Sequence, residues 1–282
     1  MKNLIVRSIS GAVYVALIVC SILFGGYWAF PFLCGIFAFA GIFEFQKMTQ
    51  ADIFSHPRAL LVDLLVGFLL PVSVVLFMTG LYPVAALLIL ILVMLRFVAQ
   101  LYVRTDDSVR CMANSIMSVV YVALPLMAAA LVFSIMGAEW ALLMFVLIWL
   151  NDTGAFLVGS AIGRHRLFER LSPKKSWEGF FGGLLFCVAA GCLAKVVFPA
   201  WFGGYPMWML ACVGVVVCVM STWGDLFESM IKRCVGVKDS GSMIPGHGGI
   251  LDRIDSLLFV APSMLIGYGV LLLSLSFAII KG

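Results

Sequence analysis

Apolar residues dominate this chain in long, nearly unbroken runs, and run length rather than periodicity sets its elements. Nine runs are long enough to be membrane-crossing helices, at approximately 9–24, 27–43, 59–79, 82–98, 112–136, 140–162, 177–198, 206–224 and 256–279. About 18 consecutive apolar residues read as a spanning helix, because a helix satisfies its own backbone hydrogen bonds where lipid offers none. The expected fold class is therefore an all-α polytopic membrane protein with about nine transmembrane helices.

The polar breaks between runs set the orientation. With the N-terminus in the cytoplasm, the outward connections are Gly25–Gly26, Gly80–Leu81, Gly137–Glu139 and Pro199–Tyr205, and none contains Lys or Arg. Every Lys and Arg except Lys195 and Lys281 then falls on the cytoplasmic side, as the positive-inside rule requires. Lys195 is close enough to a helix end to snorkel. The segment from Met1 to Arg7 and the run behind it resemble a signal peptide. No Ala-x-Ala-like cleavage site follows, so the segment is read as an uncleaved helix.

Composition agrees with this reading. Of 282 residues, 63% are hydrophobic and 11% charged, against about 25% charged in soluble domains. The eight cysteines form no Cys-x-x-Cys pair and no zinc spacing, so they are expected to be small apolar packing residues. The longest cytoplasmic loops span 163–176 and 225–255. Each is shorter than the ~40 residues below which chains seldom fold alone. Any chemistry must therefore be assembled from loops and cytoplasmic helix ends, at the lipid–water interface. The expected division is residues 1–136 as N-terminal helices of open role and 137–282 as the catalytic region.

Candidate chemistry concentrates in that second region. In the first, Glu44 and Asp63 are expected to be solvated or to pack between helices. Asp152, in Asn151-Asp152-Thr153-Gly154, lies inside the sixth run, where an ionisable residue usually faces a cavity or a partner. Ala155, Gly159 and Gly163 follow at four-residue spacing, a smooth face for helix packing. In Ser172-Pro173-Lys174-Lys175-Ser176-Trp177-Glu178-Gly179, two lysines precede a helix that Ser176 can cap.

The densest stretch runs from Ser221 to Ser256. If the eighth helix continues into the cytoplasm, Asp225, Ser229 and Lys232 share one face. Asp252 and Asp255 open the ninth helix. Carboxylates on two such helix ends suit Mg²⁺, with Asp225 and Asp252 as first ligands and Asp239 and Asp255 as ligands or supports. Lys174, Lys175, Lys232, Arg233, Lys238 and Arg253 suit phosphate oxygens. Ser221, Ser229 and Asp152 are counted with the substrate-binding groups. Gly248 and Gly249 let the backbone form a phosphate nest, and His247 is a candidate donor to phosphate. No P-loop or dinucleotide fingerprint is present. An ion pathway through Asp152 predicts several mid-membrane polar residues and inverted repeats, and neither is found. The Asp-Gly-x2-Ala-Arg signature of CDP-alcohol phosphotransferases is also missing.

The run Ser229-x-Ile-Lys-Arg-x4-Lys-Asp-x-Gly-x2-Ile-Pro-Gly-His-Gly-Gly-Ile-x-Asp-Arg-Ile-Asp255 resembles the signature of phosphatidate cytidylyltransferases, and the segments at 151–155 and 172–179 resemble that family's other motifs. Ser176 stands where threonine is more usual, with the hydroxyl kept. The likeness is specific from about residue 150 onward. It implies that CTP and phosphatidic acid yield CDP-diacylglycerol and pyrophosphate with Mg²⁺, two metal ions lying near the aspartates. It also implies a homodimer in the bacterial cytoplasmic membrane, with no nucleic-acid partner.

Overall fold

The computed structural model describes residues 2–49, 56–244 and 248–281, and their side chains except those of 2–6, 82 and 274–281. It is an all-α membrane protein, as expected. Among the described residues, eight helices are long and apolar enough to cross a membrane, and α1 (Lys2–Leu23) adds a shorter apolar stretch, Arg7–Leu23. The chain forms two compact units, Met1–Ala138 with Ile231–Ile254, and Glu139–Met230 with Asp255–Gly282.

In the first unit, α2 (Gly26–Thr49) packs along α3 (Pro57–Met78), which in turn packs on α4 (Tyr82–Gln100). Pro57 begins α3, where its missing N–H costs nothing. Asp107 caps α5 (Ser108–Ser118), accepting from the Arg110 N–H at 2.8 Å. That helix runs on through a π-helical turn at Val119–Ala123, then α6 (Leu124–Leu131), then a second π-helical turn at Val132–Met136. Gly137, at φ 104°, ends it in a conformation other residues resist.

The interior of this unit is mostly apolar, and one buried polar network in it joins α2, α3, α4 and α5. Asp63 is 2% exposed and pairs with Arg96 Nε at 2.7 Å. Its other oxygen accepts from Gln46 Nε2 at 2.9 Å and Ser115 Oγ at 2.7 Å. Arg96 also donates to Ser115 Oγ at 2.7 Å and Gln100 Oε1 at 2.8 Å. Asp63 is thus a buried packing residue, and solvation plays no part in holding it. The last turn of α10 (Met207–Cys234) and the first turn of α11 (Leu251–Lys281) also belong to this unit.

The second unit begins with α7 (Ala138–Ile162), which from Glu139 on packs against α8 (Trp177–Val197). Their approach is close because small residues face each other. A Cβ on Gly182 would lie 2.5 Å from Val158, and one on Gly179 would lie 2.9 Å from the Ala155 carbonyl. Between them, residues expected to be plain loop form an antiparallel hairpin, β1 (Arg166–Phe168) with β2 (Ser172–Ser176). Glu178 anchors its base, accepting from the backbone N–H groups of Arg164 and His165 and lying 2.6 Å from His165 Nδ1.

At the opposite end of this unit is α9 (Pro199–Phe202). Lys195 reaches past it to donate to the carbonyls of Gly203, at 3.2 Å, and Tyr205. The Tyr205 ring meets Trp140 edge-on, and Trp140 Nε1 donates to its hydroxyl at 3.3 Å. Lys195 therefore closes a turn rather than merely snorkelling into water.

Candidate functional site

Four of the sequence-predicted residues gather in the second unit. A cavity of about 500 Å³ is bordered by Asp152, Lys174, Lys175 and Asp225, with Phe156 and Phe180 among its apolar walls. Each wall has a local cause. Asp152 projects from α7, and the lysines come from strand β2. The start of α8 is fixed by Ser176, whose Oγ accepts from the Gly179 N–H at 3.1 Å, the cap read from the sequence. Asp225 lies toward the C-terminal end of α10, which runs on past it to Cys234. Lys175 Nζ sits 2.6 Å from Asp225 Oδ2, and Ser229 Oγ donates to Asp225 Oδ1 at 3.3 Å.

Sequence reasoning missed Arg166 and Thr222, which also border the cavity. The basic run around Arg164 was the available signal for the first. Ser221, counted as substrate-binding, is buried instead. It accepts from Asn151 Nδ2 at 3.3 Å, and its carbonyl accepts from Ser256 Oγ at 3.3 Å. Its neighbour Thr222 faces the cavity in its place. Asp255 is partly buried and accepts from the Ser256 N–H at 2.6 Å. The carboxylates of Asp225, Glu228 and Asp152 are near enough to act on its charge.

A second group forms in the first unit. Lys232 Nζ lies 2.8 Å from Asp252 Oδ1, each side chain 12% exposed. Asp252 also accepts from the N–H groups of Ser240, at 3.1 Å, and Gly249, at 2.9 Å. The Gly249 N–H, expected in a phosphate nest, is therefore used to fasten the first turn of α11. A carboxylate reaching back to a free N–H is a common way to begin a helix. Gly248, at φ 84°, pairs its carbonyl with the Ile244 N–H at 2.9 Å. Arg233, Lys238, Asp239 and Arg253 are exposed. Arg233 Nη1 reaches the Val237 carbonyl only at 3.5 Å, and the Arg253 carbonyl accepts from Tyr14. His247 lies outside the described residues.

Oxygen donors and basic groups are thus intermixed at helix ends. Among the described residues, no three His, Cys, Asp or Glu side chains gather as a preformed metal cluster. The oxygen chemistry of Asp152 and Asp225 on one cavity nevertheless suits a hard divalent cation, which takes a few carboxylates and leaves places for phosphate oxygens.

Fold and cavity together define a polytopic helical membrane protein with a polar, charged site cut into apolar helices. The sequence profile of the cytidylyltransferase family matches residues 5–271, and the chain belongs to that family. It is similar to bacterial proteins called phosphatidate cytidylyltransferase. One from Staphylococcus aureus is 46% identical over 126 residues, and one from Staphylococcus epidermidis is 43% identical over the same length. The aligned stretch is 45% of this chain and 47% of each relative, so the chain spans about half the length of the curated relatives it matches.

Proposed function

We propose that the protein is a phosphatidate cytidylyltransferase, transferring CMP from CTP to phosphatidic acid to give CDP-diacylglycerol and pyrophosphate. The observation that carries this reading is the family match along residues 5–271, joined to a cavity lined by two lysines and two aspartates. A phosphate oxygen of phosphatidic acid attacks the α-phosphorus of CTP. The bond from that phosphorus to the bridging oxygen breaks, and pyrophosphate leaves with its electron pair. The attacking oxygen is already ionised, so positioning and charge neutralisation supply the catalysis.

Lys174 and Lys175 are assigned to phosphate oxygens. The Asp225 carboxylate holds Lys175 at the cavity wall, so the ammonium is aimed before substrate arrives. Asp225 and Asp152 would hold Mg²⁺, which supplies neutralisation of charge on the phosphates. Asp252, already accepting from Lys232 and two N–H groups, orders the basic loop. The reading includes a homodimer in the cytoplasmic membrane of a bacterium.

Purified protein given labelled CTP and phosphatidic acid should form a labelled liponucleotide. EDTA should abolish its formation and Mg²⁺ restore it. Asp225→Asn and Lys175→Gln should each lower turnover by roughly 30-fold or more, the usual cost of one charge-assisted contact in such a site. No liponucleotide from folded wild-type protein would overturn the reading.

A further inference from the structure

Glu44 lies in the last two turns of α2, just past its long apolar stretch, and is 1% exposed. A buried carboxylate is costly unless hydrogen bonds replace its water. One of its oxygens, Oε2, accepts from the Leu251 N–H at 3.0 Å and from Ser240 Oγ at 3.2 Å. The other, Oε1, has no hydrogen-bond partner among the described residues. Among the described residues that oxygen is thus left unsatisfied, a cost that packing alone does not offset.

What Glu44 grips is the signature loop. Leu251 is the first residue of α11, whose free N–H groups favour a negative charge. Ser240 opens the stretch that leads to it. The loop's glycines fit the same carboxylate. A Cβ on Gly241 would lie 2.4 Å from Glu44 Oε1, and all three of its nearest atoms would belong to the Glu44 side chain. A Cβ on Gly249 would lie 2.4 Å from Oε2. These two glycines allow the backbone to close over Glu44. Asp252 holds the same loop by the Ser240 and Gly249 N–H groups and also carries Lys232. Two acids therefore fix one loop, one from the loop's own helix and one nearly 200 residues earlier, the Glu44–Ser240 separation being 196.

We propose that Glu44 is a positioning residue of the reaction: its buried carboxylate holds Ser240, Gly241, Gly249 and Leu251 about the first turn of α11, and so fixes the Asp252–Lys232 pair whose lysine meets a CTP phosphate. The functional half of this statement rests on the cytidylyltransferase reading.

The test uses Glu44→Gln, Glu44→Ala, Gly241→Ala and the double variant Glu44→Ala/Gly241→Ala in the full-length protein. Glu44→Gln should raise the KM for CTP by about tenfold or more, as misplaced binding groups do, with the KM for phosphatidic acid and the melting midpoint little changed. Equal losses for both substrates, tracking a fallen midpoint, would reduce Glu44 to a structural residue and overturn the proposal. Hydrogen exchange over 240–251 needs no substrate. It should quicken in Glu44→Gln, and unchanged exchange would also overturn the proposal. Gly241→Ala should quicken exchange in the wild-type background and add little in the Glu44→Ala background, since the clash would be gone. Additive effects would show that Gly241 and Glu44 do not meet. A wild-type protein that makes no liponucleotide would instead sink the cytidylyltransferase reading and leave the exchange results to decide the loop contact.

Discussion

The pair between Asp63 and Arg96 shows what a single charged residue demands inside an apolar helix bundle. Neither can be left alone, because an unpaired buried charge costs several kcal/mol. The pair itself adds little over well-packed apolar residues. Arg96→Met should therefore destabilise the protein by ~3–5 kcal/mol, and Asp63→Leu/Arg96→Met should recover most of that loss. Thermal unfolding in detergent measures both. An acid near the start of a span was legible in the sequence. Its partner, 33 positions away, was not, because a lone charge near a helix end looks the same whether water or arginine faces it. Glu44 was hidden for the same reason. Ser176 was legible because a cap depends only on residues next to it in the chain.

At the scale of elements, the helices were the easy part. Run length and hydropathy are local, and lipid enforces helix wherever a run is long enough. The hairpin of β1 and β2 was not visible: Ser172–Ser176 includes Pro173 and two adjacent lysines, with no alternation to mark a strand. The two π-helical turns between α5 and Gly137 were also beyond reach, since an extra residue in a helical turn leaves no mark on composition. The α7–α8 contact was legible from its spacing of small residues, and it makes a prediction. Gly182→Val would drive a branched side chain into Val158, 2.5 Å from where its Cβ would stand. A loss of roughly 1–3 kcal/mol is expected from such overpacking. Ser176→Ala should cost ~1 kcal/mol by removing the cap. Melting of the purified variants checks each, and Gly182→Val at wild-type stability would mean that the two helices stand further apart.

For the whole molecule, charge placement predicts how the chain crosses the membrane. Reporter fusions at Gly137 and Tyr205 should read outside, and fusions at Arg170 and Val237 inside, if nine crossings start from a cytoplasmic N-terminus. A cytoplasmic signal at Tyr205 would remove that arrangement. The family's characteristic residues were legible from about position 150 onward, which left the role of the N-terminal helices open. The structure gives part of the signature a different home: residues 231–254 belong to the compact unit of the first 138.

That membership bears on how such a gene can be recombined. A hybrid that took its first five spans from one family member and the remainder from another would leave every motif intact. It would still bring a foreign α2 to the loop ends at Gly241 and Gly249, where a Cβ on either glycine would lie 2.4 Å from the Glu44 carboxylate. Compatibility between parents at that contact, more than their overall likeness, would decide whether the offspring works.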